Sequence, residues 1–232
     1  MARNIITLII AFIAICYLAS NAQAQPQPFT ATYDVYEDGA IKATLTTSLT
    51  KTGEQQYRIT DITTGTAGLA SLLNFRRTEQ TDFIYRDMTP EVIHHSMHQK
   101  VAFKNKRYEF SHQPGETDYH GVDHKKTFQI TSEQPLLSTQ LMSWQLAQQV
   151  CHNPQSNMQW SILKSTQAKT YYFKIVAVDN HKTLVHRLYP NRPDRSTAIW
   201  INGKDCHIEE ITYRENKKTV RTVLDNITFQ QP

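Results

Sequence analysis

The sequence predicts a mainly β protein, with an antiparallel curved sheet or open barrel or clam and one amphipathic helix packed at its opening. Three observations predict this fold. Hydrophobic residues alternate with period two through most of the chain, turn signals recur about every 10 to 14 residues, and one segment alone has a clear helical period. No regular helical crossovers separate the strand-like runs, which argues against a parallel βαβ sheet.

The composition fits a globular β domain. The chain has 232 residues, of which 39% are hydrophobic and 20% are charged, and its net charge is 25 − 21 = +4. This charge is too small to predict a nucleic-acid partner. After the first 24 residues, discussed next, 232 − 24 = 208 residues remain. We expect residues 25–232 to form a single β-rich domain.

Residues 1–24 have the pattern of a secretory signal peptide. Arg3 supplies the positive start, residues 5–18 are an almost unbroken apolar run, and Ala22 and Ala24 place small residues before a cleavage site. The apolar run is shorter than the roughly 20 residues that a membrane-spanning helix needs. We therefore expect cleavage after Ala24, a periplasmic location and no integral membrane span in the mature chain.

The strands follow from the alternation. A β-hairpin is predicted where the alternating residues of 31–35 and 41–49 flank an Asp38-Gly39 turn. Later runs are separated by turn signals, among them Asn105-Lys106. These runs are 57–64, 78–85, 91–103, 107–112, 158–163, 170–178, 183–189, 196–201, 208–214 and 219–229.

One segment after Pro135 changes to a helical period. Ser138 stands at its start and is predicted to cap the helix, because its hydroxyl can accept from free backbone N–H groups. A second, short helix or an apolar loop is expected at 68–73. The apolar stripe of the main helix consists of Leu137, Leu141, Trp144, Ala147 and Val150.

Aromatic residues are numerous, with 11 Tyr, 9 Phe and 3 Trp. Filling the concave side of a sheet is their ordinary role. A strongly curved sheet can also leave a cavity for one apolar or amphipathic ligand. The residues expected to line such a cavity are Tyr33, Phe83, Tyr85, Trp144 and Trp200.

Two cysteines remain after the predicted cleavage, Cys151 and Cys206. Exported proteins meet an oxidising compartment, so we expect these two to form a disulfide, with a pair of inert thiols as the alternative. The bridge would stabilise the fold by about 4 kcal/mol in the chain-entropy model. It would join the end of the helix to a late strand.

Histidines are the candidate metal ligands. His94 and His95 point to opposite faces of a predicted strand, and His98 lies about 13 Å from His94, too far to share one ion. The polar segment 112–124, with His112 and His120, reads as a loop that contains no known zinc spacing. We therefore expect no metal and no other cofactor.

Five short motifs, in order, resemble the exported proteins grouped as domain of unknown function 3108. They are Phe-Thr-Ala-Thr-Tyr-Asp-Val at 29–35, Thr-Ala-Gly-Leu at 66–69, Thr-Pro-Glu at 89–91, Pro-Leu-Leu-Ser at 135–138 and Ile-Trp-Ile at 199–201. The resemblance spans nearly the whole mature chain. It implies a periplasmic, β-rich fold curved around a helix, and it transfers no catalytic residues.

The functional expectation is a periplasmic protein that binds or carries a hydrophobic or amphipathic ligand, such as a lipid or another small molecule of the cell envelope. No local motif of a serine hydrolase, a zinc protease or a cysteine-histidine enzyme occurs in the sequence. Two alternatives stay open. One is an envelope hydrolase acting on glycan or peptidoglycan through the polar segment 112–124, and the other is a scaffold that binds a protein at a sheet edge.

Overall fold

The computed structural model describes residues 25–230, so the predicted signal peptide lies outside the described residues. Two helices accompany the sheet, α1 (Gly68–Leu72) and α2 (Thr139–His152). The strands are β1 (Phe29–Glu37), β2 (Ala40–Lys51), β3 (Gln56–Gly65), β4 (Arg76–Arg86), β5 (Thr89–Val101), β6 (Lys104–His112), β7 (Asp118–Asp123), β8 (Lys126–Thr131), β9 (Leu136–Leu137), β10 (Asn157–Lys164), β11 (Gln167–Asp179), β12 (Lys182–Leu188), β13 (Arg195–Asn202), β14 (His207–Glu215) and β15 (Lys218–Phe229).

The predicted mainly β fold is confirmed as one open, 15-stranded sheet. Strands β1 to β8 form one antiparallel meander and β10 to β15 form another, and the two join where β1 pairs with β15. The two-residue β9 adds to β10 as the parallel strand at that edge. Helix α2 contacts β3, β4 and β5 of the first meander and β10, β13 and β14 of the second. The sheet therefore curls around the helix.

Two details of the strand prediction were wrong. Asn105 and Lys106 belong to β6, and the turn lies at Ala102 and Phe103, where Ala102 has a positive φ of 51°. The segment predicted as a loop at 112–124 contains the hairpin partner strand β7. Gly121 fits this strand because a β-carbon there would collide with the ring of Phe128 on β8.

Helix α2 is capped as predicted, since the Ser138 hydroxyl accepts a hydrogen bond from the backbone N–H of Leu141 at 3.1 Å. Of the predicted helical stripe, Leu137 lies in β9, before the helix begins. All five residues of the stripe are buried, but so are Met142 and Leu146 on other faces of α2. A helix on the outside of a sheet buries one stripe, whereas a helix inside a curled sheet is covered on several sides. No helix within residues 25–230 is long and apolar enough to cross a membrane.

A buried hydroxyl joins the start of α2 to the sheet. Thr81 Oγ1 on β4 donates to Gln140 Oε1 at 2.9 Å and lies 2.8 Å from Ser138 Oγ and 2.9 Å from His95 Nδ1. A hydroxyl has one proton and two lone pairs, so this set assigns the Ser138 hydroxyl and the His95 Nδ1–H as donors to Thr81. All four residues are buried. We call this set the Thr81 cluster.

Replacement of Thr81 by valine tests this attachment. Thr81→Val keeps the shape but leaves three buried polar groups without their partner, so we expect a loss of about 2–3 kcal/mol in the free energy of unfolding, measured in urea. The control is Thr127→Val on the exposed β8, which should change stability by less than about 0.5 kcal/mol. Equal effects of the two substitutions would contradict the role of the Thr81 cluster.

Candidate functional site

A cavity of about 170 Å³ lies between the first half of α2 and the concave face of the sheet. Strands β1 to β4, β14 and β15 form its walls together with the helix. An engineered cavity of about 150 Å³ is large enough to bind benzene. The volume therefore suits a ring-sized group. We call this space the Asp61 cavity, because Asp61 is one of its lining residues. Its apolar wall consists of Phe29, Leu45, Ile59, Trp144, Ala147, Ile208 and Ile211.

Four of the five residues predicted to line a cavity lie in or behind this wall. Tyr33 and Trp144 line the cavity. Phe83 and Tyr85 lie in contact with Trp144, with ring centroids 5.4 and 5.3 Å from it, but they are not part of the lining. These two rings fix the orientation of the indole, so they position the wall rather than form it.

Trp200 is not brought to this cavity. Its neighbours on β13, Ile199 and Ile201, are buried on the concave side, and side chains alternate along a strand. Trp200 therefore lies on the opposite face, where it borders a separate surface hollow with Glu209 and Glu210. Its place among the lining residues was wrong because three consecutive apolar residues do not show which of them points inward.

One end of the cavity is acidic. Asp61 on β3 accepts a hydrogen bond from the Thr47 hydroxyl at 2.7 Å, and Glu79 on β4 is paired in register with it. Burial raises the pKa of Asp61 to about 7; Glu79 adds to this rise, and the hydrogen bond from Thr47 opposes it. Arg77 forms an ion pair with Glu79 at 2.5 Å. Asp61 therefore changes its charge near neutral pH.

Gln140 presents an amide donor to Asp61 at this end. Its Oε1 is occupied by Thr81, so its Nε2 points towards the cavity and lowers the pKa of Asp61. This Nε2 makes no hydrogen bond of ordinary geometry with any residue of 25–230, although Gln140 is only 6% exposed. The Thr81 cluster thus determines that the Nε2 end of the Gln140 amide, and not the Oε1 end, is directed towards the cavity.

His207 supplies a second unpartnered group. It lines the cavity, is 8% exposed, and its Nδ1 has no hydrogen-bond partner within the described chain. Burial lowers the pKa of His207 below its usual value. Nearby, the Tyr33 hydroxyl donates to the Ile208 carbonyl oxygen at 3.2 Å, and burial raises the pKa of this phenol. His207 is therefore a neutral group in the lining of the Asp61 cavity at pH 7.

The two cysteines lie next to each other but are free, so the predicted disulfide is not formed in this structure. Cys151 donates to the Asn202 carbonyl oxygen at 3.6 Å, and the Cys206 sulfur lies 3.8 Å from His152 Nε2. The hydrogen bond between the two thiols raises the pKa of Cys151 and lowers that of Cys206. Cys206 also lines the Asp61 cavity.

The histidines of 112–124 have structural places in the hairpin. His112 is buried, stacks on Tyr119 at 4.2 Å, and its ring nitrogens lie 3.1 Å from the Asp118 carbonyl oxygen and 3.3 Å from Glu91 Oε1. His120 is exposed on β7. Within the described residues, no group of three His, Cys, Asp or Glu side chains is arranged to hold a metal ion.

A second hollow, of about 520 Å³, lies along another side of α2 and is bordered by Pro90, Gln145 and Trp160. Its side chains are mostly neutral. The Asp61 cavity is the better candidate because a carboxyl group with a shifted pKa and two unpartnered buried groups converge there.

Comparison with known proteins supports the fold alone. The chain is similar to the crystal structure of a beta-barrel-like protein of domain of unknown function DUF1849 from Brucella abortus. The two share 10% sequence identity with a TM-score of 0.57, over 89% of this chain and 99% of that chain. No family model matches the sequence, and no curated protein matches it. The resemblance to domain of unknown function 3108 therefore stays a prediction.

The polar residues of the site escaped the sequence reasoning, although a signal for them exists. Tyr57, Ile59 and Asp61 occupy alternate positions of β3, so a carboxylate continues the inward apolar face. Gln140 precedes Trp144 by four residues and so shares its side of the helix. Because only apolar residues were considered as cavity lining, the charged and amide residues at inward positions were missed.

Replacement of Asp61 by asparagine tests its shifted pKa. Between the ordinary value of 3.8 and the folded value of about 7, the folded protein keeps a proton that the unfolded chain releases. Raising the pH through this window therefore destabilises the wild type, and the loss is complete above the folded pKa. Relative to Asp61→Asn, the wild type should lose about 1.4 kcal/mol for each unit that separates the two pKa values, as measured by urea unfolding from pH 4 to 8.

The exposed Asp225 provides the matched control, because Asp225→Asn should leave the pH profile of the wild type unchanged. Parallel profiles for the wild type and Asp61→Asn would show that Asp61 titrates normally.

Proposed function

We propose that this protein is an exported, periplasmic ligand-binding or carrier protein that holds one small amphipathic molecule in the Asp61 cavity. The observation that carries the proposal is the convergence of Asp61 with two buried polar groups that make no hydrogen bond of ordinary geometry within residues 25–230, Gln140 Nε2 and His207 Nδ1, on a space that is otherwise apolar. Buried polar groups in folded proteins nearly always have partners. A ligand with a polar head would supply them.

The walls restrict the body of the ligand. The apolar wall and the volume of about 170 Å³ fit a ring or a short branched chain, and they are too small for a complete acyl chain. The sequence analysis expected either a lipid or another small molecule of the envelope. A small molecule fits this cavity better than a lipid. Trp144 offers an aromatic face that phenyl-sized groups and cations both bind well.

The acidic end restricts the head of the ligand. Asp61 and Glu79 repel a carboxylate or phosphate head, whereas an ammonium or hydroxyl head can donate to Asp61. An ammonium head also stabilises the ionised form of Asp61, so binding of an amine should lower the pKa of this carboxyl group from about 7. The proposed ligand class is therefore a small apolar amine or alcohol.

Three probes that share a phenyl ring test this class: phenethylamine, 2-phenylethanol and phenylacetate. At pH 8, where Asp61 is ionised, we expect affinity to decrease in that order, measured by calorimetry or by Trp144 fluorescence. Asp61→Asn should reduce the affinity for phenethylamine by a factor of about 10 to 150, because a charge-assisted hydrogen bond contributes about 1.5–3 kcal/mol. The same substitution should leave the affinity for 2-phenylethanol within about threefold.

Asp225→Asn serves as the control and should bind all three probes like the wild type. Native mass spectrometry of protein prepared without detergent gives a complementary readout, in which a retained small adduct supports the proposal. No binding of any probe, together with adduct-free spectra, would overturn it.

We also propose that export leads to a disulfide between Cys151 and Cys206. The two thiols would lose two electrons and two protons to an exchanging disulfide, which is itself reduced to two thiols. The bridge would tie the last turn of α2 to the connection between β13 and β14, beside the cavity.

The disulfide has a direct test. Protein isolated from the periplasmic fraction, with free thiols blocked at lysis, should contain no titratable thiol in the mature chain. Addition of a reductant should then lower the free energy of unfolding by about 4 kcal/mol, less any strain in the bridge. Cys151→Ser should abolish this sensitivity to the reductant. Two titratable thiols in the untreated protein would contradict the proposal.

A further inference from the structure

Four large apolar side chains stand exposed at one end of the sheet. In α1 and directly after it, Leu69 is 74% exposed, Leu72 78% and Leu73 40%, and Phe103 in the β5–β6 turn is 100% exposed. Helix α1 buries none of its residues. Single exposed apolar residues are ordinary, but a cluster of large ones at one place marks an interaction surface.

The backbone brings these side chains together. The Ala102 N–H donates to the Leu73 carbonyl oxygen at 2.6 Å, which places the following residue, Phe103, beside the end of α1. We call Leu69, Leu72, Leu73 and Phe103 the apolar tip. The two segments that form the apolar tip lie side by side because the start of β4 pairs with the end of β5, with Arg76 opposite Lys100.

The apolar tip is built on an ordered backbone. Gly65 lies so close to α1 that a β-carbon there would stand 2.6 Å from the Ala70 backbone. The Thr66 N–H donates to the Lys42 carbonyl oxygen at 2.9 Å, and the Phe75 N–H donates to the Ala70 carbonyl oxygen at 2.9 Å. The segment is therefore fixed against β2 and β3 by backbone contacts, while its leucines face outwards.

The two segments that carry the apolar tip are strongly basic. Residues 66–78 and 99–107 contain six Lys or Arg residues and no Asp or Glu. Arg77 pairs with Glu79, but none of the other five forms an ion pair with a residue of 25–230. The ammonium group of Lys42 also lies near Gly68. The basic residues of the two segments are Arg76, Arg77, Lys100, Lys104, Lys106 and Arg107.

We propose that the apolar tip docks on a membrane surface that contains anionic lipids. An apolar centre surrounded by unpaired cations matches the layers of such a surface, since acyl chains lie beneath a plane of phosphate groups. Each Lys or Arg close to an anionic surface contributes about 1 kcal/mol to binding. This contact is separate from the Asp61 cavity and would keep residues 25–230 at the membrane surface.

A tryptophan at position 103 tests the insertion at the tip itself. Phe103→Trp is compared with Val178→Trp, which lies on the exposed β11 and replaces a side chain that is 70% exposed. Both full chains are expressed and processed by the cell, and both are mixed with phosphatidylglycerol vesicles whose acyl chains carry bromine. We expect quenching beyond that of the native tryptophans for Phe103→Trp and none for Val178→Trp, and no added quenching in phosphatidylcholine vesicles.

Charge substitutions give a second, independent readout. The double substitution Lys100→Gln and Lys104→Gln should weaken binding to phosphatidylglycerol vesicles about thirtyfold, because each lost charge weakens binding about fivefold. Added salt should also weaken the binding of the wild type. Lys169→Gln with Lys174→Gln, two exposed lysines of β11, is the matched control and should leave binding unchanged.

Two results would overturn the proposal. One is equal quenching of Phe103→Trp and Val178→Trp in anionic vesicles, because binding through another segment of the chain would not bring position 103 into the acyl layer. The other is a dimer in solution that Leu72→Ser dissociates, which would assign the apolar tip to a second copy of the chain.

Discussion

The hydroxyl group of Thr81 connects the helix, the sheet and the proposed site. Its single proton is donated to Gln140, and its two lone pairs accept from Ser138 and from His95, so each of its hydrogen-bonding sites is used. This arrangement fixes the first turn of α2 inside the curled sheet. It also leaves the amide nitrogen of Gln140 turned towards the Asp61 cavity. A buried polar cluster of this kind specifies one position of the helix, whereas apolar packing alone would tolerate several.

The same burial that stabilises the fold gives the cavity its chemistry. Enclosure by the curled sheet shields the partly buried Asp61 from much of the water, which raises its pKa to about 7, and it lowers the pKa of His95 to about 3. His95 therefore stays neutral and can serve the Thr81 cluster over a wide pH range. Asp61, in contrast, is poised between its two charge states near pH 7. His95 has a structural role and Asp61 is a candidate binding residue because only Asp61 faces the cavity.

Much of the architecture could be predicted from local patterns, since alternation, turns and the helical period each depend on near neighbours in the chain. The capping role of Ser138 and the burial of the helical stripe follow from such patterns. The cavity depends on which elements distant in sequence come together, such as β3, α2 and β14. A short stretch of sequence does not show these contacts. Trp200 shows the limit clearly: with isoleucine on both sides, its face is determined only by the register of β13.

Residue type explains which parts of the cavity wall the sequence could suggest. Aromatic residues are recognisable in sequence and usually lie inwards, and Tyr33 and Trp144 line the Asp61 cavity, while their binding of a ligand stays a prediction. Asp61 and Gln140 belong to residue types that usually face water, and only enclosure by distant strands converts them into binding groups. A disulfide between Cys151 and Cys206 was predicted because the predicted export leaves two cysteines that can form one bridge, but both thiols are free in this structure.

The curled sheet encloses the acidic group of Asp61 in an otherwise apolar cavity. The most direct test of this enclosure is a carbon-13 NMR titration of the Asp61 carboxyl carbon, with and without phenethylamine. We predict a midpoint near 7 in the free protein and a lower midpoint when the amine is bound. A midpoint near 4 that does not respond to the amine would contradict both the enclosure and the proposed binding site.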